Sequence, residues 1–477
     1  MKKWNLRSAV EEVKTYWDKP PEGKYIPYQE FVAYSVGGIG VNTINSLFGY
    51  VALTANCLLL GSAYQIAPMD LAIMSIVMSI LNLVKTPFIS MLVDNTNTKY
   101  GKFRPYLLIT GVPTAALLIL MAFIPNSLSY PLKCTMLSLI YALLMIFQSL
   151  YALAFTSLAQ VLTPNGEERT GLLSVSQFIY SLGPSIVNLF FPILAGLFAG
   201  GMTGFTAYRT LFPIFSVFGI ILSLWTFKGT EEKIVVPRNY VAKVRFVDGI
   251  SEIKSNKYFW LMTLHNVLGG LKGGIGGILA WYCIYVVRSD AVLGVMNAVI
   301  GTASVPGMLL APLLAKKIGK RSSLIWFNLL RAGFAGLMLV TTKSPFLFLA
   351  CLYLSTAAIG GDGVMVSAMT ADVFDYQQWK TGKRLEGFIT QFSGMLVTAA
   401  TMLFNLILPW FYEHYGLEKD YTVLFQEAVR TPIFNIMIIT TVISCLAAVI
   451  PILFYDMTEK KQAEIIADLK ERAEAEI

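Results

Sequence analysis

Twelve stretches of at least twenty mostly apolar residues constrain this chain more than anything else in it. They run at 29–52, 67–93, 105–126, 135–162, 172–198, 208–227, 258–287, 291–315, 322–342, 346–371, 387–412 and 431–455. A helix needs roughly 20 such residues to cross a hydrocarbon core ~30 Å thick. Strands that face lipid would alternate over about ten residues, and runs such as Ala115–Ile124 and Ile436–Ile452 do not alternate. The chain is 55% hydrophobic and 14% charged, where soluble domains sit near 45–50% and about 25%. So much apolar surface cannot be hidden from water in one globule. The sequence reads as an all-α membrane protein with twelve transmembrane helices.

The polar segments set the orientation. With the N-terminus inside, 28 of the 37 Lys and Arg fall on the cytoplasmic side, six outside (counting Arg209 at a span edge) and three within spans. Positive charge stays inside, so both termini are expected in the cytoplasm of an inner membrane. The net charge of +8 then follows from topology and calls for no nucleic-acid partner. The first span starts behind a charged, proline-containing lead-in, which does not read as a cleavable signal. Five cysteines, at 57, 134, 283, 351 and 445, are scattered singly and form neither a metal spacing nor a disulfide framework. No metal, no cofactor and no enzymatic activity are expected, and no phosphate-binding loop points to ATP as a driving force.

Segment 228–257 divides the spans six and six, giving a lead-in at 1–28, bundles at 29–227 and 258–456, and a tail at 457–477. The bundles echo one another. The loop Asp94 through Pro105 after the second span is echoed by Ala315-Lys-Lys-Ile-Gly-Lys-Arg321 after the eighth; Glu168-Arg-Thr-Gly through Gln177-Phe178 enters the fifth and Lys383-Arg-Leu-Glu-Gly through Gln391-Phe392 the eleventh. Two pseudo-symmetric six-helix bundles of this kind place a solute site near the midplane, served by rocking of one half against the other.

Three stretches carry a family resemblance: Tyr34-Ser-Val-Gly-Gly-Ile-Gly-Val-Asn42, Asp94 through Gly101-Lys-Phe-Arg-Pro105, and Ala371-Asp-Val-Phe-Asp-Tyr-Gln-Gln-Trp-Lys-Thr-Gly-Lys-Arg-Leu-Glu-Gly387. With the matching span count, the chain resembles the glycoside–pentoside–hexuronide cation symporters, the melibiose permease group of the major facilitator superfamily. The resemblance implies the major facilitator fold, a monomer, and transport of a glycoside or hexuronide by alternating access. It also shows departures. The family's two cation-binding carboxylates on the second helix fall on Asn82 and Thr86, its first-helix carboxylate on Asn42 and its fourth-helix carboxylate on or near Ala152. The eleventh-helix lysine falls on Thr398, the fourth-helix tryptophan on Thr156 and the fifth-helix arginine roughly on Gln177. With the anionic oxygens gone, sodium coupling at this place is not expected.

The spans carry a few charges, and each needs a reason, because a lysine at the bilayer centre costs about 3 kcal/mol. Lys85 lies within a turn of Asn82 and Thr86. It can contact an anionic solute, stand in for the family's cation, or pair with an acid. Lys272 sits in the glycine run Gly269–Gly277, which suits either a bending helix or dense packing. If the two lysines face one cavity, its field favours an anionic solute. Asp362, in Gly360-Gly-Asp-Gly363, can pair with a lysine or carry a proton. His265 can couple to protons or only hold a hydrogen bond. Arg331 finds no role at this level beyond snorkelling or pairing. Tyr151, Phe155, Gln177, Tyr180, Trp281, Tyr282 and Gln391 have the chemistry of a sugar pocket, although each aromatic alone also suits packing. Asp94, Lys102 and Arg104, with Asp372, Asp375, Lys383 and Arg384, are expected at cytoplasmic helix ends as gate ion pairs. Residues Glu459–Ile477 read as an amphipathic helix along the cytoplasmic surface, touching the central loop.

These readings favour a sugar-derivative carrier, proton-coupled or facilitative, with a small polar solute and the lipid bilayer as partners. The alternative is a lipid or amphiphile translocator of the same fold. A non-transporting sensor would need an extra soluble domain, and the loops leave no room for one.

Overall fold

The structure, a computed structural model, describes residues 6–94, 96, 98–233, 252–382 and 386–475. The helices that matter here are α1 Tyr28–Gly49, α2 Pro68–Asp94, α3 Arg104–Phe123, α4 Tyr130–Val161, α5 Gly171–Phe198 and α6 Phe205–Gly229. They continue with α7 Lys257–Val287, α8 Asp290–Ile318, α9 Lys320–Thr341, α10 Pro345–Thr381, α11 Phe388–His414, α12 Glu427–Leu453 and α13 Glu459–Ala475. Eleven of these, α2 to α12, are long and apolar enough to cross a membrane. α1 has the length, at 22 residues, and its Ser, Gly, Asn and Thr residues only dilute its hydropathy. It completes the twelve.

The chain divides into two compact units, Met1–Ile66 with Val77–Tyr240 and Ala67–Ile76 with Val241–Ile477. The first turns of α2 therefore group with the second unit, where the Met69 amide donates to Glu413 at 3.3 Å. In the first unit α1 is the buried spine, with Thr226 of α6 donating to the Ala33 carbonyl at 3.1 Å and Ser35 bonded to Ser176 at 2.7 Å. In the second unit α8 and α10 touch backbone to backbone. A Cβ on Gly360 would lie 1.9 Å from the Ser304 carbonyl oxygen and one on Gly307 1.9 Å from that of Ala357. Gly307 and Gly360 are there because nothing larger fits between these helices.

The two units carry the same device ahead of their third helices. Gly101 (φ +103°) and Gly319 (φ +83°) take left-handed turns immediately before α3 and α9, a conformation that glycine adopts without strain. Behind Gly101 the Glu232 carboxylate accepts from the amides of Lys102, Phe103 and Arg104 at 2.8, 2.7 and 2.9 Å. Behind Gly319 the Glu459 carboxylate accepts from the Lys320 amide at 2.7 Å. A carboxylate at a helix N-terminus satisfies orphan donors and opposes the positive end of the dipole. In return Arg104 donates to the Phe227 carbonyl near the end of α6 at 2.7 Å, and Arg321 to the Leu453 carbonyl at the end of α12 at 2.5 Å. The halves thus repeat a two-way cap that ties a third helix to a sixth.

Two expectations change here. α10 runs to Thr381, past the span end expected at 371, because its last turns are held from both sides. Gln377 accepts from Asn256 at 3.0 Å, and Trp379 donates to Asp468 of α13 at 2.5 Å. The tail helix α13 also does not simply lie on the surface. Ile465 is buried, and Leu469 packs with it among Tyr258, Val373 and Tyr455. The central residues 234–251, with which the tail was expected to meet, lie outside the described residues.

Candidate functional site

α7 supplies the framework of the site in the second unit. Its middle, Gly269–Gly277, winds as a 3₁₀ helix, since a run this rich in glycine has little side-chain packing to hold it to α geometry. Against it, α10 and α11 leave a cavity of about 570 Å³, the size range of a small-molecule site. Thr263, Asn266, Thr370, Thr390, Ser393 and Thr398 line it, with Gly269 and Gly270 presenting bare backbone. Hydroxyl and amide groups on an otherwise apolar wall suit a polyhydroxylated solute. Of the eleventh-helix expectations, Thr398 lines this cavity, whereas Gln391 is exposed and outside the lining.

Beside this cavity lies a buried ionic cluster. Lys272 Nζ stands 3.5 Å from Asp362 Oδ1, and His265 Nε2 stands 3.9 Å from the same oxygen. Asn328 of α9 donates to it at 2.6 Å. Arg331, for which the sequence offered no role, donates to the Lys272 carbonyl at 2.5 Å. The Lys272 side chain passes over Gly269, where a Cβ would lie 3.3 Å from Nζ. A bare glycine is thus what lies between the ammonium and the cavity lining. At 3.5 Å the Lys272–Asp362 attraction is about 5 kcal/mol before desolvation, at an effective dielectric constant near 20. The cluster gathers two basic side chains, Lys272 and Arg331, and the imidazole of His265 around one carboxylate.

In the first unit Lys85 is buried, 6% exposed, and its ammonium donates to the Met145 carbonyl at 3.0 Å and to the Ser149 hydroxyl of α4. Among the described residues no carboxylate pairs with it. Asn82 and Thr86 are exposed, and the Thr86 hydroxyl donates to the Asn82 carbonyl at 2.7 Å. The Asn42 amide is held by the Gly38 carbonyl at 3.0 Å and the Thr156 hydroxyl by that of Ala152 at 3.0 Å. Phe155 stacks on Tyr34 at 4.7 Å and meets Tyr180 edge-on at 5.6 Å, and the Tyr180 hydroxyl donates to Gln177.

Other sequence candidates are placed elsewhere. Tyr151 and Trp281 are fully buried. Tyr151 fills the space below Gly111, where a Cβ would lie 2.7 Å from its ring, and Trp281 packs on Tyr412 at 5.4 Å. Tyr282 stacks on Phe348 at 3.9 Å. These rings are core. Of the gate set, Arg104 is engaged with α6 as above, and Asp372 accepts from Lys320 at 2.7 Å, each within its own unit. Lys102 and Asp375 have further partners. The Asp94 side chain, Lys383 and Arg384 lie outside the described residues. Sequence reasoning missed Asn328 and the two glutamate caps, and it singled out Arg331 without finding its partner. A signal for the caps existed in Thr230-Glu-Glu-Lys233 and Thr458-Glu-Lys-Lys461, which follow the sixth and twelfth spans alike.

Twelve apolar helices in two repeating units, with a polar cavity and charges buried at mid-span, define a multi-pass membrane transporter of the major facilitator type. The chain belongs to the MFS/sugar transport protein family, whose profile matches residues 33–459. It is 24% identical to the uncharacterized symporter YnaJ of Bacillus subtilis (strain 168), over 94% of this chain and 96% of that one. It is 25% identical to the glucuronide carrier protein homolog of Escherichia coli (strain K12), over 81% and 84% respectively. Among solved structures, a bacterial homologue of the iron transporter ferroportin superposes with a TM-score of 0.63 at 14% identity, covering 90% of this chain and 98% of that one. That likeness concerns the fold alone.

Proposed function

We propose that this protein carries a sugar derivative with an anionic group, such as a hexuronide, across the inner membrane by alternating access, with both termini cytoplasmic. The observation that carries the reading is Lys85, a buried ammonium held, among the described residues, by neutral acceptors. A cation so costly to bury is retained where an anion will meet it. The second unit adds two cations against one carboxylate beside a cavity lined by hydroxyls. That lining favours a sugar over an acyl chain, so the lipid reading is the weaker one. Membership of a sugar transport family and likeness to a glucuronide carrier homolog support the same class.

Sodium at the family's second-helix position is not part of this reading. Asn82 and Thr86 offer neutral oxygens only, beside a fixed ammonium at Lys85, and a hard cation wants an anionic one. The test is uptake by purified protein in liposomes of 4-nitrophenyl β-D-glucuronide and of the matching neutral glucoside. Each is measured with a sodium gradient, with a proton gradient, and with neither. Glucuronide uptake that ignores sodium supports the proposal. Uptake that requires sodium, or that prefers the glucoside, refutes it.

A further inference from the structure

The hydrogen-bond roles around Asp362 do not close. His265 Nδ1 lies 2.7 Å from the Ala448 carbonyl of α12. A carbonyl only accepts, so Nδ1 carries the hydrogen and Nε2 of the neutral ring carries a lone pair. That lone pair faces Asp362 Oδ1 at 3.9 Å, the separation of two facing acceptors rather than of a donor and its acceptor. One added proton would turn the opposition into an attraction that can close to a hydrogen bond.

The remaining neighbours show what competes for that place. On α7, Lys272 supplies an ammonium 3.5 Å from Oδ1. On α9, Asn328 donates at 2.6 Å, and Arg331 is engaged by the Lys272 carbonyl. On α12, Cys445 is buried close enough to act electrostatically on Lys272 and Arg331. Oδ1 thus collects three neighbours, while Oδ2 has no partner among the described residues. A metal cation would meet the Lys272 ammonium 3.5 Å from Oδ1, whereas a proton on Nε2 needs only that the ring and the carboxylate draw together from 3.9 Å. Lys272 can also leave: it is a flexible side chain lying over Gly269 at the cavity lining.

We propose that Asp362 and His265 together hold one proton in competition with the Lys272 ammonium. An anionic solute that draws Lys272 away loads this proton, and solute and proton cross together without net charge. The proposal rests on the anionic-solute reading above. The proton comes from the side to which the cavity opens and is given up on the other side when the solute departs and Lys272 returns to Asp362.

The chain has two histidines, so His414→Gln leaves His265 as the only one and its ring can be read by nitrogen-15 NMR. The expected spectrum at alkaline pH is the Nδ1–H tautomer. Adding 4-nitrophenyl β-D-glucuronide shifts it to the doubly protonated ring; the neutral glucoside leaves it unchanged. Lys272→Gln produces the protonated ring without any solute, and Asp362→Asn abolishes both responses. In liposomes, a gradient of one pH unit sustains about tenfold accumulation for one proton per solute. This ratio is unchanged by an imposed potassium potential. His265→Gln lowers it to about onefold while exchange of glucuronide continues.

A His265 ring that ignores pH from about 5 to 9 in every variant overturns the proposal. So does accumulation that follows the membrane potential or survives Asp362→Asn. If no probe is carried but the ring titrates and responds to Asp362→Asn and Lys272→Gln, the proton site stands and the solute reading is the part that fails.

Discussion

Replacing Lys85 by methionine separates a functional charge from a structural one. Methionine matches the length of the lysine stem and removes the ammonium. Burying that ammonium near mid-bilayer costs about 3 kcal/mol, which Lys85→Met would return. The hydrogen bonds to the Met145 carbonyl and to Ser149 would be lost, at about 1.5 kcal/mol each for a charged donor. Neither acceptor is orphaned, because Ser149 already donates to the Met145 carbonyl at 2.7 Å. The two terms cancel to within about 1 kcal/mol, so the melting temperature in detergent should stay within a few degrees of the parent. Binding is different. An anion that loses its buried cationic partner forfeits about 2–3 kcal/mol, a rise in KM of roughly 30- to 150-fold. Proteoliposome uptake of 4-nitrophenyl β-D-glucuronide should show that rise, and the neutral glucoside should not. The reasoning is refuted if the glucuronide KM moves less than threefold. It is equally refuted if both solutes lose uptake together with a collapse in melting temperature, which would mark Lys85 as a structural strut.

Two further outcomes are expected. Glu232→Ala strips three main-chain donors of their acceptor and should cost about 2 kcal/mol, whereas Glu459→Ala strips one and should cost about 1 kcal/mol; thermal unfolding followed by tryptophan fluorescence ranks them. Asp456 is held at a pKa of about 2 by hydrogen bonds from Lys257 at 2.6 Å and Tyr258 at 2.7 Å. Because this lies below the ordinary carboxylate value near 3.9, the stabilisation is full above about pH 4 and fades as pH falls towards 2. Asp456→Asn should therefore lower stability at neutral pH by at most about 1 kcal/mol, the pair being exposed, and the gap to the parent should close as the melting series is taken below pH 4.

What the sequence revealed depended on whether the relevant physics is local. The spans were legible because hydropathy acts residue by residue, and the pairing of Lys272 with Asp362 because a buried ion demands a partner. Tyr151 and Trp281 show the limit: the chemistry that suits a sugar face also suits a core, and only the surrounding packing distinguishes the two. Arg331 was opaque for another reason. Its partner is the main-chain carbonyl of Lys272, and no side-chain pattern announces an acceptor that every residue carries. The end of α10 was misjudged because a docked tail helix holds its last turns, an interaction between segments about ninety residues apart.

The 3₁₀ winding of Gly269–Gly277 has a mechanical consequence. Nine residues at ~2.0 Å of rise cover ~18 Å, where an α-helix at ~1.5 Å would cover ~13.5 Å. The two windings also differ by ~20° per residue, or about half a turn over the stretch. This segment is therefore a screw thread in the middle of α7. Rewinding only three of its residues would turn one end of the helix by ~60° against the other and draw the ends together by ~1.5 Å. Rotation and shortening are locked to each other there, so any twist of one end of α7 against the other is read out as a change in its length.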